Sequence, residues 1–265
     1  MAKKVEHVYY TGGSYTMIYQ IGVSSYLSRK YDIHKIKWYG CSAGSLAIVL
    51  MFLLPPEKIL QYYLDITDAM KKLTDTNPFD LDNYNLTDRH FAALQVIHET
   101  DPEAYKKVSG KVNIGVTTPS GFVWYNTFSS NQELFNVLLC GFHVPVLCKY
   151  KARINCQKCM DGGFGMDHCS NLPKNTFIVC PRVDKHAQLN GHIPDKYTVI
   201  PPPLTEIYNY YDKGRKDIRN YIKYGKTSGR VLYAGPNELS IPESVWRFIR
   251  NIQPEDENYS VEIFK

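Results

Sequence analysis

The sequence has no apolar run able to cross a bilayer. Its longest, residues 46–54, falls far short of the ~20 residues a spanning helix needs, so any membrane contact is expected to be peripheral. It has no block of Lys and Arg, no recognition-helix pattern and no zinc-finger spacing with paired histidines. A net charge of +5 is too mild and diffuse to point to nucleic acid. The chain opens Met-Ala-Lys-Lys-Val-Glu, without an apolar signal region or a myristoyl-acceptor glycine, and closes Glu-Ile-Phe-Lys, without a prenylation cysteine. Its seven cysteines are odd in number and unevenly spread, which suits free thiols better than a disulfide framework. These absences predict an intracellular, cytoplasmic protein with peripheral contact at membranes. The sequons at Asn85 and Asn258 are then coincidental. Repeats and low-complexity segments are also missing.

What is present is an ordinary globular composition. With 265 residues, 44% hydrophobic and 22% charged, the chain can bury one sizeable core. Tyrosine dominates the aromatics with 21 residues. Its apolar body and polar tip suit wet apolar surfaces.

The organising stretch is Gly40-Cys41-Ser42-Ala43-Gly44, a Gly-x-Ser-x-Gly pattern. A strand over residues 35–39 feeds it and an apolar helix over 45–54 leaves it. At such an elbow the serine sits on a sharp strand-to-helix turn, and the helix N-terminus turns its free N–H groups towards the hydroxyl. Gly40 and Gly44 flank it because a Cβ at either place would crowd the turn. Taken alone, the pattern also fits a plain turn with a small buried serine.

The context narrows this. Residues 5–10 read as a first strand, Thr11-Gly12-Gly13-Ser14 as a tight turn and 18–31 as a helix. The first 54 residues are thus a βαβ unit with parallel strands. Ligand groups collect at the carboxyl ends of such strands, which places Gly12-Gly13 beside Ser42. Acyl transfer needs a hydroxyl nucleophile and N–H donors for the oxyanion in one place.

Further on, helices are expected over 58–73, 88–100 and 134–140, the last with a Ser130-x-x-Glu133 capping box. His98 reads as a partly covered helix residue. Residues 77–84 read as a loop. A hairpin is expected from 111–118 and 122–128, then a strand pair around 149–155. Met160-Asp161-Gly162-Gly163 sets a carboxylate at a tight turn after a strand. Strands over 176–180 and 197–200, an amphipathic helix over 204–224 and a short helix over 243–252 complete the reading.

Three motifs in this order resemble the patatin-like phospholipase family over about residues 5–224. Thr11-Gly12-Gly13-Ser14, with the downstream Gly22-Val23, resembles its Gly-rich oxyanion motif. Gly40-Cys41-Ser42-Ala43-Gly44 resembles its nucleophile motif, and Asp161-Gly162-Gly163, followed by Asn171-Leu172-Pro173, its Asp-Gly-Gly block. The resemblance implies a three-layer α/β/α fold with a mostly parallel central sheet. It implies a Ser42–Asp161 dyad, an oxyanion hole from Gly12, Gly13 and Ser14 with help from Ala43, and turn roles for Gly162 and Gly163. No metal and no other cofactor is implied. An aspartate acting as base at neutral pH needs a raised pKa, so Asp161 is expected in a partly apolar pocket. Ser14 and Met17 depart from the family, which has glycines there.

The resulting expectation is a serine acyl hydrolase of lipid esters, phospholipids first and neutral lipids second. Its hydrolase domain spans residues 1–225, with 226–265 an extension packed on it. Alternatives are a weak or inactive lipid- or partner-binding protein on the same scaffold, and an α/β-hydrolase with a Ser-Asp-His triad using His168 or His192. Cys156-x-x-Cys159 with His168 and Cys169 has half of a zinc pattern, and Cys41 reads as elbow packing.

Overall fold

A computed structural model of the chain describes residues 5–72, 86–145, 147–168 and 170–225. The strands are His7–Tyr10 (β1), Lys37–Cys41 (β2), Val112–Thr118 (β3), Gly121–Tyr125 (β4), Arg153–Ile154 (β5), Gln157–Lys158 (β6), Met160–Asp161 (β7), Phe177–Cys180 (β8) and Leu189–Asn190 (β9). The helices are Ile18–Lys30 (α1), Ala43–Leu53 (α2), Ile59–Lys72 (α3), Leu86–Thr100 (α4), Ala104–Val108 (α5), Asn131–Phe142 (α6) and Leu204–Tyr224 (α7).

The central sheet runs β4-β3-β2-β1-β8-β9. From β3 to β9 the neighbours on this path are parallel, while β4 and β7 join β3 antiparallel. The fold is therefore mixed α/β with a mostly parallel sheet flanked by helices, as the sequence led us to expect. Helix α2 is buried along its whole length, and an apolar surface all round requires that.

Side chains alternate across the strands. Val8, Tyr10, Trp38, Ile114 and Val116 join the main core with residues of α1, α2 and α6. Tyr9, Tyr39, Cys41 and Ile178 form a smaller cluster, covered by Phe122, Trp124, Met166 and Leu172.

One register detail positions the site. Strand β3 pairs with β2 as far as Gly115↔Cys41. Its next residue, Val116, pairs with Asp161 of β7. Because β4 occupies the other edge of β3 at Val116, β7 takes over the edge that β2 vacates at its end.

Helices α1 and α7 cross at two glycines. A Cβ on Gly22 would lie 2.1 Å from the Tyr211 carbonyl oxygen, and one on Gly214 would lie 2.1 Å from that of Tyr19. Tyr19 Oη donates to Asp217 Oδ2 at 3.0 Å, and Tyr211 Oη donates to Ser25 Oγ at 2.8 Å.

Some expectations need correcting. Residues 195–198 form a 3-10 turn rather than a strand. Pro194 starts it, its carbonyl accepting from Tyr197 N at 3.0 Å. The pair around 149–155 shrinks to the two-residue strands β5 and β6. Helix α5 and strand β9 were not anticipated. The loop at 77–84, Asn85, Cys169, the helix at 243–252 and Asn258 lie outside the described residues.

Candidate active site

The strand-to-helix elbow at Ser42 forms as its spacing predicts. Ser42 follows β2 directly and starts α2 with φ 51°, ψ −136°, a region costing a non-glycine residue roughly 1–3 kcal/mol. The flanking glycines are needed for close approach. A Cβ on Gly40 would sit 2.6 Å from Ser45 Cα, and one on Gly44 would sit 2.4 Å from the Tyr10 carbonyl oxygen. Ala43 is the first residue of α2, where N–H groups have no intrahelical acceptor.

Gly12 backs directly onto the serine, since a Cβ there would meet Ser42 Cβ at 2.8 Å. Gly13 adopts φ 154°, and Thr16 holds its carbonyl oxygen through Oγ1 at 2.7 Å and the backbone N at 3.0 Å. Ser14 carries φ 49°, a left-handed conformation that suits glycine better. Met17 is accommodated at αR angles in front of α1, its side chain buried in the core. Gln20 ties this turn to the sheet: its Nε2 donates to Thr11 O at 2.8 Å and to Val179 O at 3.2 Å.

Asp161 arrives from the other side. Its carboxylate accepts from Gly163 N at 2.8 Å, and it lines the same cavity as Ser42. Its backbone is fixed at both ends, with N donating to His143 O at 2.7 Å and O accepting from Thr117 Oγ1 at 2.9 Å. Gly162 fits because a Cβ would come within 2.3 Å of the Gly115 carbonyl oxygen. Burial raises the Asp161 pKa to about 6, against the opposing pull of the Ser42 and Gly163 hydrogen bonds and the Arg182 charge. The expected partly apolar pocket is therefore present.

Ser42, Asp161, Gly12, Gly13 and Ser14 share a cavity of about 500 Å³. Its lining includes the apolar residues Leu46, Ile66, Leu86, Ala93, Phe142 and Leu147 and the polar residues Thr11, His168, Arg182, Asp184 and Thr198. Arg182 is the sole Lys or Arg among the lining residues, and its Nε has no hydrogen-bond partner. Neither the apolar lining nor Arg182 could be picked out by motif, because these residues come from separate elements.

The structure brings no imidazole between Ser42 and Asp161. His168 lines the cavity, but its Nδ1 faces Asp184 Oδ2 at 3.4 Å. His192 is not among the lining residues. Burial pushes the Cys41 thiol far up, beside Tyr9, which agrees with a packing role. Among the described residues no group of three or more His, Cys, Asp or Glu could hold a metal ion, and no helix is long and apolar enough to cross a membrane.

No family model matches the sequence. It is similar to two proteins named omega-hydroxyceramide transacylase. The one from Mus musculus is 26% identical over 155 residues, 49% of this chain and 26% of the relative. The one from Homo sapiens is 26% identical over 175 residues, 52% of this chain and 32% of the relative. The matched part thus spans about a third or less of these relatives. Among solved structures, VipD from Legionella pneumophila overlaps 66% of this chain and 49% of its own, at 14% identity and a TM-score of 0.33. The heterodimeric ExoU–SpcU complex of the Pseudomonas aeruginosa type III secretion system overlaps 83% and 51%, at 12% identity and a TM-score of 0.40. With TM-scores this low, the fold assignment rests on the sheet itself.

Proposed function

We propose that the chain is a patatin-like lipid acyl hydrolase or acyltransferase working through a Ser42–Asp161 dyad. The observation that carries this reading is that a strained serine and a buried aspartate line one cavity with both apolar and polar walls. The apolar lining takes an acyl chain, and the polar residues take the remainder of the ester.

Ser42 Oγ attacks the ester carbonyl carbon while Asp161 accepts its proton. Backbone N–H groups of Gly12, Gly13, Ser14 and Ala43 receive the oxyanion, a role that makes no demand on the Ser14 side chain. The C–O bond to the leaving alcohol breaks, and Asp161 returns the proton to that oxygen. A water or lipid hydroxyl then attacks the acyl-serine with Asp161 again as base. The name carried by the two relatives favours a hydroxyl acceptor as a second outcome of the same chemistry. Phospholipids are the first substrate class, with Arg182, the sole Lys or Arg among the lining residues, available to their phosphate. Val183, on the cavity lining and 68% exposed, offers an apolar edge for peripheral membrane contact. Residues 1–225 are the catalytic unit, ending where Gly225 stops α7 in a left-handed conformation.

The test is fatty-acid release from mixed phospholipid and neutral-lipid vesicles, with and without a long-chain alcohol acceptor, comparing wild type with Ser42→Ala. A signal lost in the variant supports the dyad. A folded wild type that releases nothing and ignores a fluorophosphonate probe supports an inactive scaffold instead.

A further inference from the structure

His90 is a polar residue within an apolar stretch of the cavity wall. On α4 it shares a face with Leu86, one turn before it, and Ala93, one turn after it, and all three line the cavity. The ring of Phe142, on α6 and also on the lining, lies 5.3 Å from the imidazole. Leu147 joins this wall through Leu86, whose N donates to the Leu147 carbonyl oxygen at 2.8 Å.

Hydrogen bonds fix the imidazole tautomer. Tyr150 has one hydroxyl proton, and it goes to the Leu139 carbonyl oxygen at 2.8 Å. The 3.0 Å contact between Tyr150 Oη and His90 Nδ1 is therefore donated by the ring. Cys148 Sγ lies 3.9 Å from the same nitrogen, a much weaker contact. With the proton on Nδ1, Nε2 keeps its lone pair and is purely an acceptor. Among the described residues no hydrogen bond reaches Nε2, and His90 is half-buried rather than sealed off. Burial lowers its pKa to about 3, so the lone pair is available at neutral pH. An acceptor in an apolar wall costs free energy until a donor meets it.

We propose that His90 is a specificity-determining residue whose Nε2 accepts a hydrogen bond from a hydroxyl on the acyl chain lying along this wall. The methylenes of such a chain suit Leu86, Ala93 and Phe142, and its O–H suits Nε2. A plain chain leaves the nitrogen unpaired. An ionised carboxylate or phosphate brings acceptors alone and gives Nε2 no proton. The proposal rests on the acyl-ester reading of the cavity, but not on the dyad.

Binding to Ser42→Ala, which removes turnover, tests it. The probes are stearate and stearates hydroxylated near the carboxyl end, at mid-chain or at the terminal carbon. Affinity is read by calorimetry, and the nitrogen NMR resonance of His90 Nε2 is followed. At least one hydroxylated stearate is expected to bind about tenfold more tightly than stearate and to shift that resonance, which stearate leaves in place. Adding His90→Phe, which spares the Tyr150–Leu139 hydrogen bond, should equalise the affinities. Equal affinities with His90 present, or a hydroxyl advantage that survives His90→Phe, overturn the proposal. So does a shift caused by monostearoylglycerol but by no hydroxylated acid, which would put the alcohol part of the ester at Nε2. If the Phe variant does not fold, the resonance of His90 itself decides. Fluorophosphonate labelling of wild type keeps the two readings apart. Protein that binds hydroxylated stearate through His90 yet never labels loses the dyad and keeps this site. Protein that labels but binds none of the acids keeps the dyad and loses this site.

Discussion

Val116 of β3 pairs with Asp161 of β7, one residue past the point where Gly115 pairs with Cys41 of β2. A strand advances ~3.3 Å per residue, so the aspartate comes level with the residue after Cys41, which is Ser42. Backbone pairing, not loop packing, sets the approach of the two groups.

Substituting Gly162 tests this directly. In Gly162→Ala the new methyl would meet the Gly115 carbonyl oxygen at 2.3 Å and Cys41 Sγ at 3.1 Å. Since the first is backbone, β7 must move. Expected outcomes are a loss of about 2 kcal/mol or more in denaturant unfolding and a large drop in fluorophosphonate labelling. Unchanged labelling at wild-type stability would argue against the register account.

Asp161→Asn separates function from stability. Acyl transfer should fall about 10²–10⁴-fold, while wild-type activity should rise with pH through an acid limb near 6, as Asp161 deprotonates. Stability should move the other way. The folded state keeps the Asp161 proton up to about pH 6, and the unfolded chain releases it near 4. Wild-type stability therefore declines as pH rises between those values, by roughly 3 kcal/mol in all. The Asn variant is spared this, so its Tm advantage should be widest above pH 7 and close towards pH 4. A Tm difference independent of pH would contradict the raised carboxyl.

Arg182→Gln removes a charge that lowers the Asp161 pKa. The acid limb should move upward by a few tenths of a pH unit, a modest change because Arg182 is partly exposed and also faces Asp195 at 3.8 Å. Release from an anionic phospholipid should lose more than release from a neutral ester. Equal losses on both substrates would deny Arg182 a part in choosing the ester.

His90 and His143 contribute to the acid side of stability. Burial lowers their pKa values to about 3 and about 4. Both stay neutral in the folded state, while the unfolded chain takes up protons near 6.5. Their contribution is complete above that value and is lost as pH falls through the folded pKa values. The slope of Tm against pH between 6.5 and 4 should be shallower in His90→Gln than in wild type.

The local motifs were legible because each imposes a steric demand that few residues meet. Gly44 against the Tyr10 carbonyl and Gly12 against Ser42 are examples. The Ser130 cap was equally readable, its Oγ accepting from Glu133 N at 3.1 Å. What could not be read depends on separate segments meeting. Gln20 gave one usable hint, a polar residue inside an apolar helical stretch, and it proves to clamp the turn after β1. Arg182 gave none, since an arginine after a proline reads as solvated. The strand expected at 197–200 failed because short β-branched and aromatic runs between prolines fit a 3-10 turn equally well.

The crossing at Gly22 and Gly214 has a mechanical meaning. Helix α1 is the stalk of the turn that carries Gly13 and Ser14, and α7 grips that stalk backbone to backbone. The crossing acts as a fulcrum, with the Gly13–Ser14 turn at one end of a rigid beam and Gly225 at the far end of the helix that pins it. A pull applied at Gly225 would reach that turn as torque rather than be absorbed by soft side chains.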